Sequence, residues 1–183
     1  MSKTFQARRL DVASFADAKA TLSGVDPLQK YERLMQEVQA PVPNLTINWR
    51  AVGGHRKAIN GSVYPSIHLS AEGVLPLTCQ RCMGEVTTPV AVDRHLLFVP
   101  DEDTAAALDD ESEDDVLVSR PDLNLQALIE DEFLMALPLV PRHDVCPDGV
   151  KLSAQSADFE VGEDAKPSPF AALAALKGEK KSG

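Results

Sequence analysis

Apolar positions in the N-terminal part of the chain recur at helical spacing. Thr4–Leu10 is predicted as a short strand, and Asp11 then offers a carboxylate that can cap the N-terminus of a helix. The spacing predicts this helix over residues 12–22. A second helix is predicted to begin at Asp26-Pro27-Leu28-Gln29, which resembles a capping box, and to end near Val38.

The period changes to two between residues 44 and 99. Leu45, Ile47 and Trp49 alternate with polar residues, and similar runs continue to Phe98 with glycines at the breaks. This pattern predicts four or more antiparallel strands. With helices before and after them, the fold class is α+β: an antiparallel sheet or partial barrel packed with the N-terminal helices and a later helix near 125–137.

The segment after these strands is acidic and then becomes apolar again. Residues 101–115 hold nine acidic residues and no basic ones, so we predict a mobile loop. Val116–Val118 is predicted as a short strand. Asn124 or Asp122 is positioned to cap the helix predicted over residues 125–137.

The C-terminal segment is mostly polar. Residues 147–183 are predicted as an extended tail that ends in a short helix, FAALAALK, at positions 170–177. An apolar fraction of 44% is enough for a core, so we predict a single domain over residues 1–183.

The net charge by itself argues against nucleic acid as a partner. The formal net charge is −10, but nine of the acids lie in 101–115, so the remainder carries only −1. A local cationic face therefore remains open, although ordinary solvated surface charges are the plainer explanation. The candidate contacts to RNA or a partner in the basic clusters are Arg50, Arg56, Lys57 and Arg94.

The composition favours a cytoplasmic protein. The N-terminus is charged where a signal peptide is apolar, and the apolar runs are shorter than the roughly 20 residues that cross a bilayer. Three cysteines are few and odd in number for a secreted fold, which suits a reducing compartment. We expect no membrane partner.

All three cysteines lie in two short motifs. Cys79 and Cys82 form C-x-x-C, and His143 and Cys146 form H-x-x-C. Thiolates and imidazole are the ligands of structural zinc, so the four residues are a candidate zinc site, a zinc knuckle closed by a second segment. The alternative is three free thiols and a histidine after a helix. A redox pair and a zinc deaminase fit less well, because the cysteines precede a predicted strand and no H-x-E motif comes before them.

Charged residues near these motifs are further candidates. Arg81 lies between the first two cysteines, where it could reach a phosphate, or it is an exposed arginine with a carboxylate neighbour. Glu130, Asp131 and Glu132 form an acidic cluster on the helix before the second motif. A solvated helix face is the plainer explanation for this cluster, and Glu132, on the apolar stripe, could be a buried partner of an arginine such as Arg81.

Three strings together resemble the bacterial YceD family, the large ribosomal RNA subunit accumulation proteins. They are LTCQRCMGEV, LIEDEFLMALPLVPRHDVC and PSPFAALAALK. The resemblance marks the four candidate metal ligands, Arg81, the acidic cluster, Pro138 and Pro141. It implies a non-enzymatic role in the synthesis, processing or stability of 23S ribosomal RNA. The partner it implies is that RNA or a large-subunit precursor, with a ribosomal protein as a further candidate.

Two other classes of function remain. A protein-interaction module with a structural zinc knuckle would use the acidic segment and the C-terminal helix and would not touch RNA. A metal-dependent enzyme is less favoured, because the sequence offers no recognisable general base, open metal site or substrate pocket. We therefore expect no catalytic residue and no small-molecule substrate.

Overall fold

The computed structural model describes residues 4–39 and 44–147. The helices in this range are α1 (Val12–Asp17), α2 (Leu34–Glu37), α3 (Glu102–Asp109) and α4 (Leu125–Ala136), with a 3₁₀ turn at Leu28–Lys30. The strands are β1 (Thr21–Pro27), β2 (Thr46–Lys57), β3 (Val63–Thr78), β4 (Glu85–Val99) and β5 (Asp115–Val118).

The strands form one five-stranded sheet in the order β1-β2-β3-β4-β5. The first four pair antiparallel, while β5 pairs parallel to β4. The predicted α+β class and the antiparallel sheet are thus confirmed, as an open sheet and not a barrel. Residues 44–99 hold three strands instead of the predicted four or more, because β2 continues through Gly53 and Gly54 and β3 continues through Gly73, where the sequence pattern placed breaks.

One face of the sheet forms the main core. On β2, Ile47, Trp49 and Ala51 are buried, and the residues between them are not. α1 packs so closely on this face that a Cβ added at Gly53 would lie 2.6 Å from the carbonyl oxygen of Phe15. Phe15 is fully buried, and burial of such a side chain contributes about 1.5–3 kcal/mol.

The N-terminal prediction was wrong beyond the first helical turns. Asp11 does cap α1, but the helix ends at Asp17, and Lys19 has a φ of 46°. Residues 21–27 instead pair with β2, because tertiary pairing outweighs weak helical spacing. No strand forms over 4–10, where Leu10 makes only an isolated bridge to Leu123.

The predicted capping box at Asp26 was also wrong. The Asp26 carboxylate accepts hydrogen bonds from Trp49 Nε1 at 2.8 Å and from the Tyr31 hydroxyl at 3.2 Å, and it pairs with Lys30. The carboxylate therefore binds three side chains and does not cap a helix. The helix predicted up to Val38 is reduced to the 3₁₀ turn and the short α2.

The acidic segment contains a helix, so its prediction as a loop was wrong for residues 102–109. Asp101 Oδ1 caps α3 by accepting from Thr104 N at 2.8 Å, and this hydrogen bond lowers the pKa of Asp101. Leu108 is buried, and α3 lies against β4 and β5. Leu108 is thus the buried side chain that anchors this helix.

The later elements follow the prediction closely. β5 includes the predicted strand, and α4 spans nearly the predicted range, with Asn124 as its cap through a 3.2 Å bond from Ala127 N. The tail predicted over 147–183 lies outside the described residues except for Pro147. No helix in the described ranges is long and apolar enough to cross a membrane.

Candidate metal centre

The C-x-x-C motif lies in the tight connection between β3 and β4. Cys79 N donates to Gly84 O and Met83 N donates to Cys79 O, both at 2.8 Å. Met83 takes the left-handed conformation, with a φ of 61°. The left-handed residue of this turn is therefore Met83 and not the glycine that follows it.

The H-x-x-C motif reaches this turn from the segment after α4. Gln80 N donates to Pro141 O at 2.8 Å, which joins the two segments next to the cysteines. His143 and Cys146 then complete the cluster. One ligand atom from each of the four residues lies within 4.8 Å of all the others.

The distances between these atoms are close to those expected for tetrahedral coordination of a zinc ion. Cys79 Sγ lies 4.0 Å from Cys146 Sγ, and Cys82 Sγ lies 3.5 Å from His143 Nδ1. With Zn–S near 2.3 Å and Zn–N near 2.0–2.1 Å, tetrahedral angles give about 3.8 Å between sulfurs and about 3.5 Å between sulfur and nitrogen. The four side chains thus need little movement to hold zinc.

The site favours thiolate at Cys79. Burial raises the pKa of this thiol, but backbone amides of Cys82, His143 and Arg81 and the His143 side chain outweigh it and lower the pKa to about 5. Burial and the two neighbouring sulfurs raise the pKa of Cys146. A bound cation would reverse that second effect, because a coordinating thiol is deprotonated.

Family comparison agrees with the motifs. The family model described as "Large ribosomal RNA subunit accumulation protein YceD" matches residues 67–177, more than half of the chain. The chain belongs to the YceD family. A relative with the same name, from Haemophilus influenzae, is 34% identical over 104 residues, which is 55% of this chain. The match spans 59% of that relative's length, and no solved structure matches the chain significantly.

Two of the three residues of the acidic cluster on α4 bind one arginine. Glu130 Oε2 accepts from Arg33 Nη2 at 2.9 Å and Nε at 3.1 Å, and Asp131 pairs with Arg33 Nη1. Glu130 is itself buried. This part of the acidic cluster therefore joins α4 to the chain before α2 and is not a solvated helix face.

The third acid, Glu132, faces the sheet. It is buried and accepts from Arg94 Nε at 3.3 Å, so its partner is Arg94 and not Arg81 as the sequence suggested. Burial raises the pKa of Glu132 and the nearby Asp115 raises it further, while Arg94 lowers it. Arg81 remains exposed at the tip of the C-x-x-C turn.

The predicted basic residues do not form one cationic face in this YceD-family chain. Strand register puts Arg94 on the core face beside Glu132, whereas Arg50 lies among the exposed positions of the other face. Arg56 is paired with Asp114 at 2.7 Å. Lys57 is exposed at the end of β2.

The sequence analysis did not predict several residues of the site. Arg33 is not part of any recognisable sequence motif. Its ion pair with Glu130, nearly a hundred positions later, depends on the packing of α2 on α4. Gln39 supports the C-x-x-C turn, since its Nε2 donates to Met83 O at 3.1 Å. Arg142 is exposed beside His143, and its position in the P-R-H-x-x-C string was the available signal.

Proposed function

We propose that this protein acts in the accumulation of the large ribosomal subunit RNA, through the synthesis, processing or stability of 23S ribosomal RNA. Membership of a family whose description names large ribosomal RNA subunit accumulation supports the proposal. The protein acts in the cytoplasm without catalysing a reaction. Its partner is 23S ribosomal RNA or a large-subunit precursor, and a ribosomal protein is a further candidate.

The four-residue cluster, in this proposal, holds a structural zinc ion. Three thiolates and one imidazole fill a tetrahedral site and leave no position for a substrate. The near-tetrahedral separations and the amides around Cys79 support this assignment. Metal analysis of protein purified without chelators tests it, with one zinc per chain as the expected result.

The tip of the zinc-bound turn is the surface that contacts RNA in this proposal. Arg81 and Arg142 are both exposed, on the two segments that Gln80 and Pro141 join. Met83 and Val145 expose 66% and 85% of their surface beside them. Guanidinium groups can bind phosphates through two hydrogen bonds, and exposed apolar side chains can pack on unstacked bases of single-stranded RNA.

A salt titration of binding to 23S fragments tests this contact. Binding should weaken as salt increases, and Arg81→Ala and Arg142→Ala should each reduce the slope of log K against log [salt] by about 1. Arg120→Ala is the matched control, since Arg120 is exposed but lies outside both segments. Affinity that is insensitive to salt and to both variants contradicts direct phosphate contact.

A protein-interaction module is the second candidate. Leu139 and Val140 are exposed on the segment before His143, at 101% and 60%, and α3 carries acidic residues suited to a basic ribosomal protein. Capture of partners before and after nuclease treatment separates the two candidates. Partners that persist after nuclease favour protein contact, and partners that disappear favour RNA.

A further inference from the structure

A second cluster of metal-ligating side chains lies on the β3–β4 pair. Register puts His68 directly opposite His95, and Asp93 two residues earlier on the same face of β4. His68 Nε2 lies 2.9 Å from Asp93 Oδ1. The two imidazole rings are stacked, with centroids 4.2 Å apart and planes 17° apart.

This cluster is separate from the cysteine site. His68 precedes Cys79 by 11 residues on β3, which corresponds to roughly 35 Å at about 3.3 Å per residue. The neighbouring residues Leu69 and Leu96 are buried on the other face of the sheet. The cluster therefore lies on the face that carries Arg50 and Ser70, away from α4.

We propose that His68, Asp93 and His95 bind a divalent transition-metal ion. One ligand atom from each lies within 4.8 Å of the other two. Tetrahedral coordination at about 2.0–2.2 Å would separate two ligand atoms by about 3.4 Å, so the 2.9 Å hydrogen bond between His68 and Asp93 would have to open by roughly 0.5 Å to admit the ion. Two paired strands hold all three residues on one face of the sheet, and rotation of one imidazole out of the stack would direct both ring nitrogens at the same ion.

The donor set decides the class of ion. Two imidazole nitrogens and one carboxylate oxygen suit Zn²⁺, Ni²⁺ or Co²⁺, whereas Ca²⁺ and Mg²⁺ require a shell of oxygens. The side chains of His68 and Asp93 are 41% and 74% exposed, so solvent fills the remaining positions. The site is therefore open and exchangeable, in contrast to the closed cysteine cluster.

Zinc titration of the full-length reduced protein tests the proposal. Wild type should bind one more equivalent of zinc than His68→Gln or His95→Gln. Zinc bound by the cysteine cluster is the same in all three proteins and cancels in this comparison. Mutation of a residue that only hydrogen-bonds to a metal ligand lowers metal affinity roughly 10- to 100-fold. Loss of a direct ligand should lower the zinc affinity of this site by at least as much. His55→Gln is the matched control, because His55 is on the same sheet and pairs with Asp17, at 3.4 Å, outside this cluster.

Imidazole ¹⁵N NMR of the wild type provides a readout that does not depend on how the variants fold. Added zinc should shift the ring nitrogens of His68 and His95 and leave those of His55 unchanged. Equal zinc stoichiometry in wild type and both variants, or no shift at His68 and His95, overturns the proposal. The trio would then be an ion pair and a ring stack only.

Discussion

The carboxylate of Glu130 binds both the backbone amide and the guanidinium of Arg33. Its Oε1 accepts from Arg33 N at 2.7 Å, and its Oε2 accepts from Arg33 Nη2 at 2.9 Å. α2 has no side-chain cap from its own N-cap residue. A residue of α4 therefore supplies the cap that the local sequence lacks.

Glu130→Ala should destabilise the fold by about 1–3 kcal/mol, because the buried amide of Leu34 also loses its acceptor at Glu130 Oε1. Urea unfolding followed by circular dichroism measures the change. Glu32→Ala is the control, since Glu32 is exposed one residue before Arg33. Equal effects of the two substitutions would show that α2 does not depend on this carboxylate.

Glu132→Gln should give a more stable protein than wild type at pH 7. The folded-state pKa of Glu132 is raised above its ordinary value of 4.5, chiefly by burial, so the folded state holds this proton more tightly. Its contribution to stability is therefore present below pH 4.5 and is lost as pH rises through the folded pKa. Glutamine stays neutral, so the variant does not lose this stability as pH rises. Its free energy of unfolding should exceed that of wild type at pH 7, and the difference should disappear below about pH 4.5.

Unfolding free energies at several pH values measure this difference. Exposed Glu113→Gln serves as the control and should follow wild type throughout. If Glu132→Gln is less stable than wild type at pH 7, the ion pair with Arg94 outweighs the cost of burying the carboxylate.

Gly53→Ala and Gly54→Ala should differ although they are adjacent in β2. An added Cβ at Gly53 would meet the backbone and ring of Phe15 at 2.6–2.9 Å, whereas at Gly54 the nearest atom is Ser66 Oγ at 3.8 Å. Overpacking should cost Gly53→Ala about 1–3 kcal/mol. Gly54→Ala should be neutral or slightly stabilising, and thermal unfolding that ranks the pair the other way would contradict this packing of α1.

Removal of zinc by a chelator should lower the unfolding midpoint. A ligand present at about 1,000 times its Kd stabilises by about 4 kcal/mol, and each kcal/mol corresponds to about 2–4 °C at this size, so we expect about 8–16 °C. Differential scanning calorimetry with and without chelator measures the shift, and added zinc should restore it. An unchanged midpoint would mean that the cluster does not hold a structural ion.

The sequence predicted the parts of the fold in which local pattern and tertiary environment agree. The period of two at Ile47, Trp49 and Ala51 corresponds to one buried face, and the four ligands of the cysteine cluster converge as their spacing predicted. β1 was missed because Gly24 and Asp26 are weak strand residues. The register instead puts Gly24 opposite Trp49, whose ring leaves no room for a Cβ, and Asp26 receives the indole N–H.

Long-range partners were the other limit of sequence reasoning. Asp93 and His95 are two residues apart, but His68 joins them only through the β3–β4 register. In the same way, Arg94 and not Arg81 meets Glu132 because β4 faces α4. No spacing along one segment encodes such pairs, because they depend on how separate elements pack.

The joining of distant segments at the cysteine cluster also sets an order of events during protein synthesis. The ribosome makes Cys82 before His143 and Cys146, and at about 5–20 residues per second the interval to Cys146 lasts roughly 3–13 s. During that interval the nascent chain presents the two thiols of Cys79 and Cys82 without His143 and Cys146. The four-residue cluster, and the zinc site proposed for it, can therefore be completed only after α4 has been made.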